Sequence, residues 1–122
     1  MTKKSLALLA FFLLAFSAAA YANKTAVAVV APEFAAAETE VTITINVTHK
    51  GNSSFHHTKW VTVKADGEEI ARWDFSGSKR PEAENFSREV KYTVTEAVEI
   101  TAQGSCNIHG SAGPVTVKIS VQ

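Results

Sequence analysis

Histidine and cysteine are concentrated in two short segments of this sequence. His49, His56 and His57 lie close together, and Cys106 and His109 follow much later, three positions apart. These are all the histidines and the only cysteine of the chain. A thiolate and several imidazoles together favour iron, copper or zinc. The two segments, residues 49–57 and 106–110, are therefore candidate metal-binding segments.

The spacing of Cys106 and His109 lets one tight turn present both side chains to one ion. Such a turn also directs backbone N–H groups at the sulfur, and these donors tune the thiolate. A C-x-x-H spacing alone is a weak motif, and the combination with the upstream histidines is stronger. A second interpretation stays open, in which the upstream histidines are surface residues beside an edge strand. Cys106 would then be a small buried apolar residue.

The elements that must position these residues are predicted to be β-strands. Residues 40–47 and 114–121 alternate apolar and polar side chains, which is typical of half-buried strands. Asp66 and Gly67 form a two-residue turn signal between two further strands. The predicted strands are residues 25–30, 40–47, 60–64, 69–75, 89–94, 98–102 and 114–121. Their number and spacing favour a seven-stranded antiparallel immunoglobulin-like β-sandwich.

Both candidate metal-binding segments fall in loops of this predicted sandwich. The first follows the strand that ends near Val47, and the second follows the strand that ends near Ala102. Loops at the end of a sandwich carry function more often than its sheets do. Trp60 and Trp73 are interpreted as packing aromatics, and the polar residues 76–85 as a surface loop.

Composition limits the class of protein. The chain has 122 residues, of which 20% are charged, and its formal net charge is zero. These values favour one globular domain and exclude a nucleic-acid binder that works by bulk positive charge. The single cysteine excludes an intramolecular disulfide.

The first 22 residues have the parts of a secretory signal peptide. Lys3 and Lys4 precede an apolar run of eleven residues, 6–16, and small residues end the segment at Ala22. An uncleaved membrane anchor is the alternative, but a bilayer span needs about 20 residues. We expect a mature domain of residues 23–122 that is exported, periplasmic or otherwise, and not held in a membrane. In an oxidising compartment an unpaired cysteine is a liability unless something occupies it, and a metal would be one such occupant of Cys106.

Four stretches resemble the superoxide reductases, the family of neelaredoxin and the desulfoferrodoxin iron domain. The resemblance spans about residues 41–121, and its most specific part is the C-N-I-H-G of residues 106–110. Residues 56–61 resemble the family's H-x-x-x-W segment, residues 65–67 its A-D-G turn, and residues 80–83 its P-E-A segment.

The resemblance implies a mononuclear non-haem iron with four equatorial histidines, one axial cysteine and an open sixth position. Cys106 would be the axial thiolate and His109 one equatorial ligand. His56, four residues before Trp60, would be another. His49 would match the family's upstream histidine, with one extra residue in the intervening loop.

The sequence departs from the family in its N-terminal part. The family has a further histidine in a Glu-Lys-His segment, but the corresponding residues 29–32 read Val-Val-Ala-Pro. His57 is the remaining histidine, and it could join His56 at one ion only if both lie in a loop, because neighbours on a strand face opposite ways. The site then has four protein ligands plus water, or five. Lys50 could replace the family's lysine in attracting superoxide, or it could be a solvated surface residue.

By this resemblance, the protein would reduce superoxide to hydrogen peroxide. Its electrons would come from a small periplasmic redox protein such as a c-type cytochrome, and its oligomeric state is open. A cupredoxin-like copper carrier is an alternative, because a His₂Cys site on a β-sandwich suits copper. The mature chain has no methionine for the weak axial position. A metal-binding module without superoxide turnover is the third hypothesis.

Overall fold

The computed structural model describes residues 23–122, which form eight β-strands arranged in two sheets. The strands are β1 Ala26–Val30, β2 Phe34–Ala35, β3 Thr39–Thr48, β4 Thr58–Ala65, β5 Glu68–Asp74, β6 Phe86–Val94, β7 Val98–Cys106 and β8 Val115–Val121. The predicted signal peptide, residues 1–22, lies outside the described residues. Within residues 23–122, no helix is long and apolar enough to cross a membrane.

The all-β prediction is confirmed, but two of its details are corrected. Each of the seven predicted strands is present, and the structure adds β2, which has two residues and pairs with β8 in parallel. A two-residue strand is too short to show alternation, so the sequence pattern could not reveal it. The described chain therefore has eight strands and is not wholly antiparallel. The immunoglobulin-like assignment stays a prediction.

The smaller sheet has the order β1-β3-β6 and is antiparallel throughout. In its register Ala26 lies opposite Thr48, and Val30 lies opposite Thr44. The beginning of β1 therefore lies beside the end of β3, which is the end that leads into the first candidate metal-binding segment.

The larger sheet has the order β2-β8-β7-β4-β5. The hairpin between β4 and β5 turns at Asp66 and Gly67, as predicted, with positive φ angles of 47° and 84°. Both angles suit a primed two-residue turn, whose twist matches that of the strands it joins. Between β4 and β7 the register shifts from Thr58 opposite Cys106 to Trp60 opposite Ser105. This bulge lies directly beside the cysteine.

One hydrophobic core is shared by the two sheets. Along β3 the inward positions are Ile43, Ile45 and Val47, and all three are buried. Along β7 the inward positions Val98, Ile100, Ala102, Gly104 and Cys106 are buried in the same alternating manner. The two-residue period places each of these series on one face of its strand. The two inward faces supply most of the core.

Candidate metal centre

The two inward-facing series end in the residues that the sequence marks as metal ligands. His49 is the next inward position after Val47, just beyond β3, and only 5% of its surface is exposed. Cys106 is the last inward position of β7 and is 4% exposed. One residue therefore comes from each sheet, and both lie at the same end of the core.

Cys106 begins a turn that closes on itself. Its N–H donates to the carbonyl of Gly110 at 2.9 Å, and the Gly110 N–H donates back to the Cys106 carbonyl at 3.2 Å. Within the turn, the backbone N–H groups of Ile108 and His109 each donate to Cys106 Sγ at 3.4 Å. These two N–H groups are placed to hydrogen-bond the sulfur when it acts as a metal ligand.

His109 and His56 bring the two candidate segments into contact. His109 Nδ1 lies 3.2 Å from His56 Nε2 and 3.9 Å from Cys106 Sγ. The two imidazole rings pack edge to face, with centroids 4.9 Å apart. The nitrogens that converge beside the sulfur are therefore Nδ1 of His109 and Nε2 of His56.

His49 completes the group from the other side of His56, with ring centroids 4.7 Å apart. Its Nδ1 lies 2.8 Å from the Gly51 carbonyl, which can only accept, so Nδ1 carries the proton in this bond. Nε2 is then the unprotonated nitrogen, and it is buried without a hydrogen-bond partner among residues 23–122. Burial lowers the pKa of His49, which favours the neutral form that binds metals.

The group fits a metal ion. One candidate ligand atom from each of His49, His56 and Cys106 lies within 4.8 Å of the others. Two ligands at about 2.3 Å on opposite sides of an ion are about 4.6 Å apart, so little movement is needed. A buried nitrogen without a partner is unfavourable unless something binds it. We call His49, His56, Cys106 and His109 the His/Cys cluster.

The structure places His57 differently from its neighbour. Strand β4 begins at Thr58, so His56 and His57 both lie in the preceding loop, where their side chains can point in the same direction. However, the His57 ring is buried and its Nδ1 donates to the Ser53 carbonyl at 3.0 Å. Neither His57 nor His109 belongs to the group of three converging ligand atoms. His109 is exposed, but its Nδ1 contacts both Cys106 Sγ and His56 Nε2, and the bond to Ser53 directs the His57 ring elsewhere. Lys50, directly after His49, is exposed.

The residues that stand in place of the family's Glu-Lys-His segment lie away from the His/Cys cluster. Val30 pairs with Thr44, toward the other end of β3 from His49. Thr25, just before β1, bonds to the backbone of Gly110 at the end of the turn that holds Cys106 and His109.

Other residues of the site were not identified from the sequence. Asn85 accepts the backbone N–H of His49 at 3.2 Å, and Asn107 joins the two candidate segments. Gly51 leaves room for the His56 ring, since a Cβ at this position would lie 2.5 Å from His56 Nδ1. Asn107 lies within the C-N-I-H-G stretch, but asparagine and glycine are common in loops, so nothing in the sequence indicates the contacts that these three residues make.

Comparison with known proteins supports the resemblance. The Desulfoferrodoxin family model matches residues 18–111. A superoxide reductase (neelaredoxin) from Ignicoccus hospitalis has a similar structure, with a TM-score of 0.68, 20% identity and coverage of 81% of this chain and 83% of that chain. No curated protein matches the sequence significantly.

Two further solved structures share the fold. A proposed superoxide reductase from Thermotoga maritima has a TM-score of 0.62 at 24% identity, covering 80% of this chain and 86% of that chain. A CARDB domain from Pyrococcus furiosus, in complex with di-metal ions, has a TM-score of 0.62 at 16% identity, covering 82% and 94%. None of the comparisons supports the copper alternative.

Proposed function

Because the chain belongs to the desulfoferrodoxin family, we propose that it reduces superoxide to hydrogen peroxide at a mononuclear non-haem iron. The proposed protein ligands are the four residues of the His/Cys cluster. The observation that carries this proposal is the buried Nε2 of His49, which has no partner in the described chain and faces a set of imidazole and thiol donors. His57, with its ring bonded to Ser53, is proposed to support the loop.

The chain's own residues prepare this site in two ways. The Gly51 carbonyl sets the tautomer of His49, so that Nε2 has a free lone pair. The N–H groups of Ile108 and His109 are placed to hydrogen-bond the Cys106 sulfur as a metal ligand and to fix its direction. When bound, iron would supply the electron for superoxide, and a thiolate ligand would increase the electron density available for that transfer.

A direct test is the metal content of the full chain purified without oxygen, with absorption spectra before and after oxidation. We expect about one iron per chain and a visible sulfur-to-iron band that Cys106→Ser abolishes. The purified protein should consume superoxide. Bound iron without superoxide consumption would indicate an electron carrier, and a band that persists in Cys106→Ser would show that the ligand assignment is wrong.

We propose that Lys50 supplies the positive charge that attracts superoxide. It is exposed and directly follows His49. Lys50→Gln should slow the reaction severalfold at low ionic strength and much less at high salt, because salt screens exposed charges. Lys118→Gln is the matched control, since Lys118 pairs with Glu99 at the other end of β7 from the cysteine. Equal effects of the two variants would argue against a local role for Lys50.

Export to the periplasm, with an electron donor such as a c-type cytochrome, is the remaining part of the proposal. Lys3, Lys4 and the apolar run of residues 6–16 support it. The intact mass of the protein recovered from the periplasm of an expressing bacterium should correspond to cleavage after Ala22. Full-length protein in the cytoplasm would contradict the localisation without affecting the proposed reaction.

A further inference from the structure

Thr25 is fully buried although it lies close to the beginning of the described chain, with 0% of its surface exposed. It precedes β1 and lies three residues after the predicted cleavage point at Ala22. Residues near a chain end are usually poorly fixed unless specific contacts hold them. Its hydrogen bonds join it to Gly110, Ala112 and Thr58, which lie within or beside the two segments that carry the His/Cys cluster.

The backbone of Thr25 is bonded to the end of the cysteine turn. Its N–H donates to the Gly110 carbonyl at 3.2 Å, and its carbonyl accepts the Ala112 N–H at 2.9 Å. The same Gly110 carbonyl accepts the N–H of Cys106. Thr25 therefore shares the acceptor that closes the turn, and it fixes the chain on the far side of Gly110.

The side chain of Thr25 reaches the second segment. Its Oγ1 lies 3.0 Å from Oγ1 of Thr58, and both residues are buried. Thr58 directly follows His57 and pairs with Cys106 across β4 and β7. One hydroxyl pair therefore links the N-terminal segment to the point where the histidine loop meets the cysteine strand.

The methyl group of Thr25 fills a space that β7 leaves open. A Cβ added to Gly104, the inward position before Cys106, would lie 2.7 Å from Thr25 Cγ2. The fit of the threonine side chain therefore depends on glycine at this position. The backbone of Thr25 therefore contacts Gly110, its hydroxyl contacts Thr58, and its methyl lies beside Gly104. Gly110 bonds to Cys106, Thr58 pairs with it, and Gly104 is two residues before it.

We infer that Thr25 is a positioning residue that holds the Cys106–His109 turn in its metal-binding geometry before metal binds. A turn that is already ordered loses less conformational freedom on binding, so the metal binds more tightly. The identity of the metal rests on the proposed function, but the order of the turn does not. Thr25 touches no candidate ligand atom and acts through Gly110 and Thr58.

The test uses Thr25→Val in the full chain, which removes the hydroxyl and keeps the shape. Two quantities are measured: the affinity for Co²⁺, followed by its sulfur-to-cobalt absorption, and the rate at which metal-free Cys106 reacts with an aromatic disulfide. We expect Co²⁺ binding to weaken about 10-fold, as is usual for residues that support metal ligands. The thiol should react faster, because the turn opens more often.

Two control variants separate positioning from general loss of stability. Ile119→Val removes a methylene from a fully buried residue on β8, which pairs with Val98 at the other end of β7. It should lower stability while leaving both measured quantities unchanged. Thr25→Ser keeps the hydroxyl but loses the buried methyl, so it should lower stability while changing the two measured quantities much less than Thr25→Val does. If Ile119→Val moves both quantities as much as Thr25→Val does, or if Thr25→Val moves neither, the inference is wrong.

The outcomes also separate this inference from the proposed function. Co²⁺ binding through Cys106 that depends on Thr25, in a protein that does not consume superoxide, would overturn the proposed reaction and support the inference. If the unaltered protein binds no Co²⁺, the thiol reaction decides alone. An unchanged rate in Thr25→Val would then overturn the inference, and a faster rate would support it.

Discussion

Asn107 connects the two candidate metal-binding segments through both ends of its side-chain amide. Its Oδ1 accepts the N–H of His57 at 3.0 Å, and its Nδ2 donates to the Phe55 carbonyl at 3.0 Å. Its backbone N–H also donates to the His57 carbonyl at 3.1 Å. Three bonds from one residue therefore hold the histidine loop against the cysteine turn.

We predict that Asn107→Ala lowers the free energy of unfolding of the metal-free protein by about 2 kcal/mol, because two hydrogen bonds to backbone groups are lost at about 1 kcal/mol each. Asn107→Asp keeps the acceptor for His57 and should lose less. Urea unfolding measures both. Asn46→Ala, at an exposed position of β3, should lower stability by less than about 1 kcal/mol, because its side chain makes one exposed hydrogen bond, from Ser87 Oγ at 2.6 Å. An Asn107→Ala loss no larger than this would contradict the role of Asn107.

Gly51 is required for two separate reasons. Its φ of +141° is rarely adopted by residues with a side chain, and a Cβ would lie 2.5 Å from His56 Nδ1. We predict that Gly51→Ala displaces His56 and weakens Co²⁺ binding by about 10-fold or more.

Gly113→Ala is the matched control for Gly51→Ala. Gly113 has a φ of +112°, and a Cβ there would meet nothing within 4 Å. Both variants should lose about 1 kcal/mol of stability from backbone strain. Only Gly51→Ala should weaken metal binding, as measured by titration with Co²⁺. Equal metal affinities in the two variants would show that the His56 ring can move aside without loss.

The cluster residues could be predicted from the sequence because their types are rare in this chain and grouped. Those same features were absent for Gly51, Asn107 and Thr25, whose roles depend on which loops touch. His57 shows the same limit, since its neighbour's ring enters the cluster while its own bonds to Ser53. The conformation of the loop decides which of the two histidines faces the cluster, and the alternation used to predict strands says nothing about loops.

At the scale of the elements, β1 lies against β7 as well as pairing with β3. We predict that Gly104→Ala lowers the free energy of unfolding by about 1–3 kcal/mol, because the added methyl overlaps Thr25 Cγ2 at 2.7 Å. Adding Thr25→Ser removes the overlapping methyl and should recover part of the loss. A double-mutant cycle by thermal or urea unfolding measures this coupling. Strictly additive effects would show that the two residues do not compete for space.

The strands were predictable where one face is buried and the other exposed. In β3 the apolar residues Ile43, Ile45 and Val47 alternate with polar ones, and the register follows from that pattern. The short parallel strand β2 depends on a few bonds to β8, such as that from the Ser120 N–H to the Glu33 carbonyl at 2.8 Å. Pairing between parts of the chain that are distant in sequence leaves no pattern in the short segment itself, so β2 could not be predicted.

At the scale of the whole molecule, the core and the His/Cys cluster are adjoining but separate regions. Ile43 is fully buried and lies opposite Val90, away from the end of β3 that leads to His49. We predict that Ile43→Ala lowers the free energy of unfolding by about 2–5 kcal/mol through the cavity it leaves. The Co²⁺ affinity of the molecules that remain folded should be unchanged. A parallel loss of affinity would show that the whole sandwich, and not its end, sets the geometry of the cluster.

The closed turn of Cys106–Gly110 has a consequence for protein design. Five consecutive residues hold the thiol, one imidazole, both N–H donors to the sulfur and the two backbone bonds that close the turn. This half of the site could therefore be grafted onto the tip of an unrelated antiparallel hairpin, provided that the recipient supplies a bond to the Gly110 carbonyl such as the one that Thr25 makes here. His49 reaches the cluster from the smaller sheet, whereas Cys106 belongs to the larger one. The recipient scaffold must therefore already have a second sheet packed against the grafted hairpin.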